Sequence, residues 1–169
     1  MSKNNSEKQE KKHHKFKAFV CYDKEDCEKA SVLESILDEK GFGIHLADSG
    51  SHGNFISEDV KDMIRLSICF IAVITSNFLN SSLINQEIGY AQGKGLKVIL
   101  FISTKSKNEI QDIDKKLTVV EFNEDNFRQQ CLTVADKVAK MVEILDEPVD
   151  FASFLDFYAK METKSGKVF

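Results

Sequence analysis

The stretch "ICFIAVIT", residues 68–75, constrains the fold more than any other. A strand with one wet face alternates apolar and polar residues, and this one has no polar residue before its last. It therefore reads as a strand covered on both faces. It is also far too short to cross a bilayer, which takes about 20 apolar residues in a helix. Two-sided cover for a strand is what helices flanking a parallel sheet provide.

The rest of the chain follows suit. "FKAFVCY" (16–22), "FGIHLAD" (42–48), "KVILFIS" (97–103) and "LTVVEF" (117–122) are four further strand candidates. Helical patterns separate them. "EDCEKASVLESILDEKG" sets Ala30, Leu33, Ile36 and Leu37 on one side, with Gly41 as its C-terminal stop. "ISEDVKDMIRLS" offers Ser57 as a cap, Glu58 and Asp59 at the positive end, and Val60, Met63 and Ile64 facing inward. "NSSLINQEIGYAQGKG" (80–95) is a third helix, and "KSKNEIQDIDKK" a polar connection. The helix after the fifth strand carries Phe127, Cys131, Val134, Val138, Met141 and Leu145 at steps of four and three.

Strands alternating with helices predict an α/β, three-layer flavodoxin-like fold, with a five-stranded parallel sheet and helices on both faces. Right-handed crossovers then put every strand-to-helix loop at one end of the sheet, the end where such folds hold ligands. At 169 residues the chain suffices for one domain with a real core. The expected division is a disordered polar tail over 1–15, a domain over 16–146, and a Phe-rich helical extension over 147–169 that follows Pro148. That extension sets Phe151, Phe154, Leu155, Tyr158 and Met161 at helical spacing, as a helix docked on the domain or a self-association surface would.

Composition removes several function classes. The net charge is -4, so no overall positive field would hold nucleic acid. The one basic concentration, "KQEKKHHKFK", is a short solvated lead-in. The first residues contain no apolar signal core, so no membrane partner is expected and a cytoplasmic location is. Cys21, Cys27, Cys69 and Cys131 fall into no CxxC pair or zinc-ligand spacing, which predicts reduced thiols and no metal. Neither GxGxxG nor GxxxxGK[ST] follows a strand, and "GYAQGKG" sits where a helix would end in a turn. The four histidines, His13, His14, His45 and His52, form no HxxxH or HExxH site, and no GxSxG elbow is present.

One position resists the structural pattern. In "NSSLINQEIGYAQGKG", Leu83, Ile84, Ile88, Tyr90 and Ala91 share one broad helical face, and Glu87 projects from its middle. A carboxylate there is costly unless it is paired, hydrated or facing a cleft. No Lys or Arg lies three or four residues away to pair with it, and it is five residues past Ser82 rather than the three a capping box needs. Either it is a buried acid satisfied by a backbone group or by Tyr22, or it serves chemistry in a cleft.

Taken in order, these segments resemble a TIR (Toll/interleukin-1 receptor) domain. "FKAFVCYDKED" is similar to the family's opening strand and loop, with Tyr22 and Asp26 matching its Tyr and Asp, and Cys21 and Asp23 standing where serines are common. "GFGIHLADSGSHGNFISEDVKDMI" resembles the second strand and glycine-bearing loop, through Asp48, Gly53 and Phe55. "ICFIAVITSNFLNSSLINQEIGYA" resembles the third strand and the helix whose motif runs from a serine, here Ser81 or Ser82, to a glutamate, here Glu87. Leu83 replaces the tryptophan usual before that glutamate, and "VILFIS" lacks a common proline. The likeness covers roughly residues 16–145, and "NQEIGYAQGKGLKVI" looks most like prokaryotic members.

The resemblance implies an NAD+ glycohydrolase or cyclase, with NAD+ as substrate rather than cofactor. It would release nicotinamide and give ADP-ribose or a cyclic isomer. It implies Glu87 as the catalytic carboxylate, Tyr22 and Phe55 as stacking groups, and Asp26 and Asp48 near ribose hydroxyls. It further implies TIR–TIR self-association, prokaryotic anti-phage signalling and a downstream effector. The alternatives are a non-catalytic TIR–TIR scaffold and a nucleoside deoxyribosyltransferase-like enzyme.

Overall fold

The structure, a computed structural model, describes residues 14–48, 55–78, 82–110 and 116–146. Gly53, Ser81, the lead-in up to His13, the side chain of Leu145 and the Phe-rich extension lie outside the described residues.

All five expected strands are present: β1 (Lys17–Tyr22), β2 (Gly43–Asp48), β3 (Cys69–Ile74), β4 (Lys97–Ser103) and β5 (Thr118–Phe122). They form one sheet in the order β2-β1-β3-β4-β5, and every pairing is parallel. This is the flavodoxin-like doubly wound order, whose direction of winding switches between β1 and β3. The helices are α1 (Cys27–Glu39), α2 (Glu58–Arg65), α3 (Ser82–Gly93), α4 (Thr104–Lys107) and α5 (Phe127–Asp146). A single 3-10 turn, Lys24–Asp26, leads into α1. The short α4 occupies the start of what the sequence suggests is only a polar connection. Four residues, "TKSK", are too few to show a helical period.

The caps are where the sequence puts them. Ser57 accepts from the Val60 N–H at 3.3 Å and starts α2. Gly41, at φ +89°, ends α1, with its N–H bonded to Asp38 O at 2.9 Å and the Phe42 N–H to Leu37 O at 3.0 Å. Gly95, at φ +77°, closes α3 by the same paired bonds, to Gln92 O and from Leu96 to Ala91 O. The glycines of "GYAQGKG" thus terminate a helix. His14, at the end of the lead-in, is tied to the same corner, to Gly41 O at 3.1 Å and to the Asp38 carboxylate at 2.7 Å.

Strand alternation divides the core in two. Ala18 and Val20 of β1 and Cys69, Ile71 and Val73 of β3 face α1 and α5. Phe19 and Cys21, with Phe70, Ala72 and Ile74, face α2 and α3. The first layer is sealed by Phe101, Phe122 and Phe127, whose ring centroids lie 4.5, 5.0 and 5.4 Å apart. Such aromatic pairs add about 0.5–1.5 kcal/mol each beyond the area they bury. Among the described residues no helix is long and apolar enough to cross a membrane.

Candidate functional site

Helix α3 leaves the C-terminal end of β3 and runs back along the sheet toward β4. Glu87 lies five residues in, about 7.5 Å along the axis at 1.5 Å per residue. Leu83, Ile84 and Ala91 are buried on the same helical face, and Glu87 is buried with them at 1% exposure. The helix thus carries its carboxylate against the sheet, beside the strands where the winding direction switches.

Cys21, the penultimate residue of β1, is buried in the same layer, near enough for its thiol to influence the Glu87 carboxyl. The carboxylate oxygen Oε2 is buried with no hydrogen-bond partner. An unsatisfied buried acceptor costs about 1–3 kcal/mol. Burial pushes the Glu87 carboxyl from 4.5 up to about 7, and the nearby Cys21 thiol only partly opposes it. Burial, followed by the charge of Glu87, pushes the Cys21 thiol well above its ordinary value. Cys21 is therefore a neutral thiol and not a thiolate nucleophile.

The other sequence-derived residues lie elsewhere on the rim. Tyr22 follows Cys21 and so points the opposite way, packing against the α1–α5 layer. It does not donate to Glu87. Burial and then the charge of Asp48 raise its pKa. Asp48 is its register partner at the end of β2. Asp26 is 3% exposed and committed to the loops. It accepts from the Thr75 hydroxyl at the end of β3, and from Asn77 Nδ2 at 3.4 Å. Lys29 Nζ lies 3.7 Å from its second oxygen. Phe55, just before α2, is 78% exposed. Tyr22 and Asp48 are thus brought together, Asp26 is pinned beside β3, and Glu87 is on the other face with Cys21.

The residue that sequence reasoning missed is Cys21, set aside there as a replaced serine. Its signal is parity. Right-handed crossovers in this strand order place α2 and α3 on one face, and the small, apolar-flanked Cys21 is the β1 tip residue that meets them. Thr75 was also missed, and only the folded proximity of two loops reveals it.

Among the described residues, no group of three or more His, Cys, Asp or Glu is gathered as a metal ion would require. A cavity of about 450 Å³ sits at the far end of the sheet, lined by Gln92, Gly93, Lys97 and Lys116 among others. It contains no carboxylate and does not coincide with Glu87.

Comparison with known proteins agrees with this architecture. The family model for the TIR domain matches residues 18–133. The chain belongs to the TIR domain family. No curated protein sequence matches it. Among solved structures, the diflavin flavoprotein A3 from Nostoc sp. is similar at a TM-score of 0.50 and 12% identity, over 73% of this chain and 90% of that one. The TIR domains of the activated Roq1 resistosome, which directly recognises the pathogen effector XopQ, are similar at 0.44 and 17%, over 76% and 78%. The CMP N-glycosidase BcmB of Clostridium botulinum is similar at 0.42 and 19%, over 69% and 98%. At these identities the flavoprotein shares the fold alone, and no activity passes from any of the three to this chain.

Proposed function

We propose that this TIR protein cleaves NAD+ at the nicotinamide–ribose bond, with Glu87 as its catalytic carboxylate. The observation that carries this reading is a buried glutamate at the ligand-holding end of the sheet, with one oxygen left unsatisfied and no cation paired with it among the described residues.

The chemistry needs little more than that. The C1′–N bond breaks and its electron pair moves onto the ring nitrogen, so the pyridinium leaves as neutral nicotinamide and requires no acid. The ribose becomes oxocarbenium-like, and an ionised carboxylate beside it stabilises that charge. In a desolvated site the attraction is far stronger than in water. With a pKa of about 7, Glu87 is partly protonated when empty. A cationic substrate favours its ionised form. Water that adds to the ribose carbon and releases a proton gives ADP-ribose, while an adenine nitrogen in its place gives a cyclic isomer.

At 1% exposure Glu87 is closed to solvent, so the rim must open to admit the ribose. Assembly with further copies would supply such a rearrangement, in keeping with a role in prokaryotic immune signalling toward a downstream effector. The same closure favours the second reading, a TIR–TIR scaffold in which Glu87 only packs.

The deciding experiment incubates purified protein with NAD+ at low and high concentration and measures nicotinamide by chromatography. Wild type is expected to release it, more steeply than linearly with protein concentration, and folded Glu87→Ala is expected not to. Absence of release from concentrated, assembled wild type refutes the enzyme reading in favour of the scaffold. Base release from a nucleoside in place of NAD+ points to a deoxyribosyltransferase-like activity instead.

A further inference from the structure

We propose that His14 is a protonation-dependent latch: as an imidazolium it fastens the lead-in to the C-terminal end of α1, and loss of one proton releases half of its hold. The latch lies where β1 and β2 begin, at the opposite end of the sheet from the tips of β1 and β3, so it does not depend on the NAD+-cleavage reading.

Both partners of the ring are acceptors. His14 Nδ1 lies 3.1 Å from the Gly41 carbonyl oxygen, and Nε2 lies 2.7 Å from the Asp38 carboxylate. A backbone carbonyl and an ionised carboxylate only accept hydrogen bonds. Both ring nitrogens must therefore donate, and only the imidazolium carries a hydrogen on each. In the neutral ring one nitrogen is itself an acceptor, and in either tautomer it faces another. The His14 side chain is 15% exposed, which limits the water that could relieve such a contact.

The place suits a cation. Helix α1 has no basic residue in its last turn, and Asp38 and Glu39 put two carboxylates at its negative pole. An imidazolium there offsets both. The ring is also seated closely on Gly43, the first residue of β2. A Cβ at Gly43 would lie 3.0 Å from His14 Cβ and 3.3 Å from His14 Cδ2, so the glycine leaves the room in which the ring sits. The backbone that follows is tied down as well. Phe16 O accepts the Gly43 N–H at 2.9 Å, and Lys17 O accepts the Ile68 N–H at 2.8 Å. Residues 14–17 thus form a strap across the start of β2, fastened at its outer end by His14.

The other charged groups on the surrounding elements have separate places. On α1, Glu39 is exposed, and the Lys40 that follows it reaches Asp136 of α5 at 3.4 Å. Lys15 Nζ stands 4.7 Å over the Phe16 ring, and the stem of Lys17 flanks Gly43. Strand β2 contributes His45, whose pKa is lowered by burial and then by the charge of Lys17. The proton that both bonds require is His14's own. Its hold is complete while the ring is charged and weakens as pH rises through the range, about 5 to 8, in which histidine changes charge.

The test measures amide hydrogen exchange by NMR in full-length protein between pH 5 and 8.5, in wild type and His14→Ala. The reporter is the Gly43 amide, which Phe16 O holds. The ratio of wild-type to variant protection cancels any pH effect that the two share. It is expected to fall about 3- to 10-fold from the acid to the alkaline end. The His14 ring nitrogens, followed by ¹⁵N NMR, should pass from imidazolium to neutral over the same interval. Asp38→Asn, whose amide can donate as well as accept, should lessen the pH dependence. A ratio that does not change with pH overturns the proposal, as does a change whose midpoint departs from that of the ring nitrogens. An undiminished pH dependence in Asp38→Asn also overturns it.

Discussion

The two faces of one sheet are built from the same five strands, yet they differ in what they tolerate. The layer under α1 and α5 is apolar throughout and closed by the phenylalanine trio. The layer under α2 and α3 is just as buried, but admits a carboxylate with an unpaired oxygen, and a thiol in the same layer. One face therefore stabilises the fold, and the other carries a local destabilisation that the first offsets.

Substitutions can break or sharpen this contrast. The largest effect should come from the stabilising face: Phe122→Ala, fully buried in the aromatic trio, is expected to cost about 3–5 kcal/mol in urea unfolding. A loss under 1 kcal/mol would mean the two layers do not differ as described.

Next is Glu87→Gln, which should stabilise the protein. The folded carboxyl titrates at about 7 against an ordinary 4.5, so below the lower value both states are protonated and burial carries no ionisation cost. As pH rises between those values the unfolded chain gives up its proton first, and stability falls until the folded pKa is passed. The glutamine variant is therefore expected to be more stable by about 2–3 kcal/mol at pH 8, with no gain at pH 4. Thermal unfolding at the two pH values checks this. Equal melting temperatures for both proteins at pH 8 would show that Glu87 is not strained.

Thr75→Val keeps its shape but removes a donor from buried Asp26, and should cost about 1–3 kcal/mol. Gly41→Ala should cost the least, about 1 kcal/mol. An added Cβ there meets nothing within 4 Å, which leaves only the left-handed backbone to object.

Much of this was legible in the sequence, for identifiable reasons. "ICFIAVIT" announced β3 because nothing but two-sided burial explains an unbroken apolar strand. Ser57, Gly41 and the five strands were readable because caps and periods are local signals. Glu87 was readable as buried because helical geometry places it between Leu83, Ile84 and Ala91. What it touches was not. Whether Cys21 or Tyr22 meets α3 depends on which strand face that helix covers, a property of the whole winding rather than of "FVCY". Asp26 likewise read as a possible ribose contact, because its ties to Thr75 and Asn77 span about fifty residues of sequence.

Those ties also govern how the molecule can gape. Asp26 bolts the tip of β1 to the tip of β3, and Lys29, 3.8 Å from Glu124, braces the bolt against the turn before α5. A crevice between two strand tips widens most simply when their loops part, and here they are fastened together. The crevice at the tips of β1 and β3 thus has one fixed post.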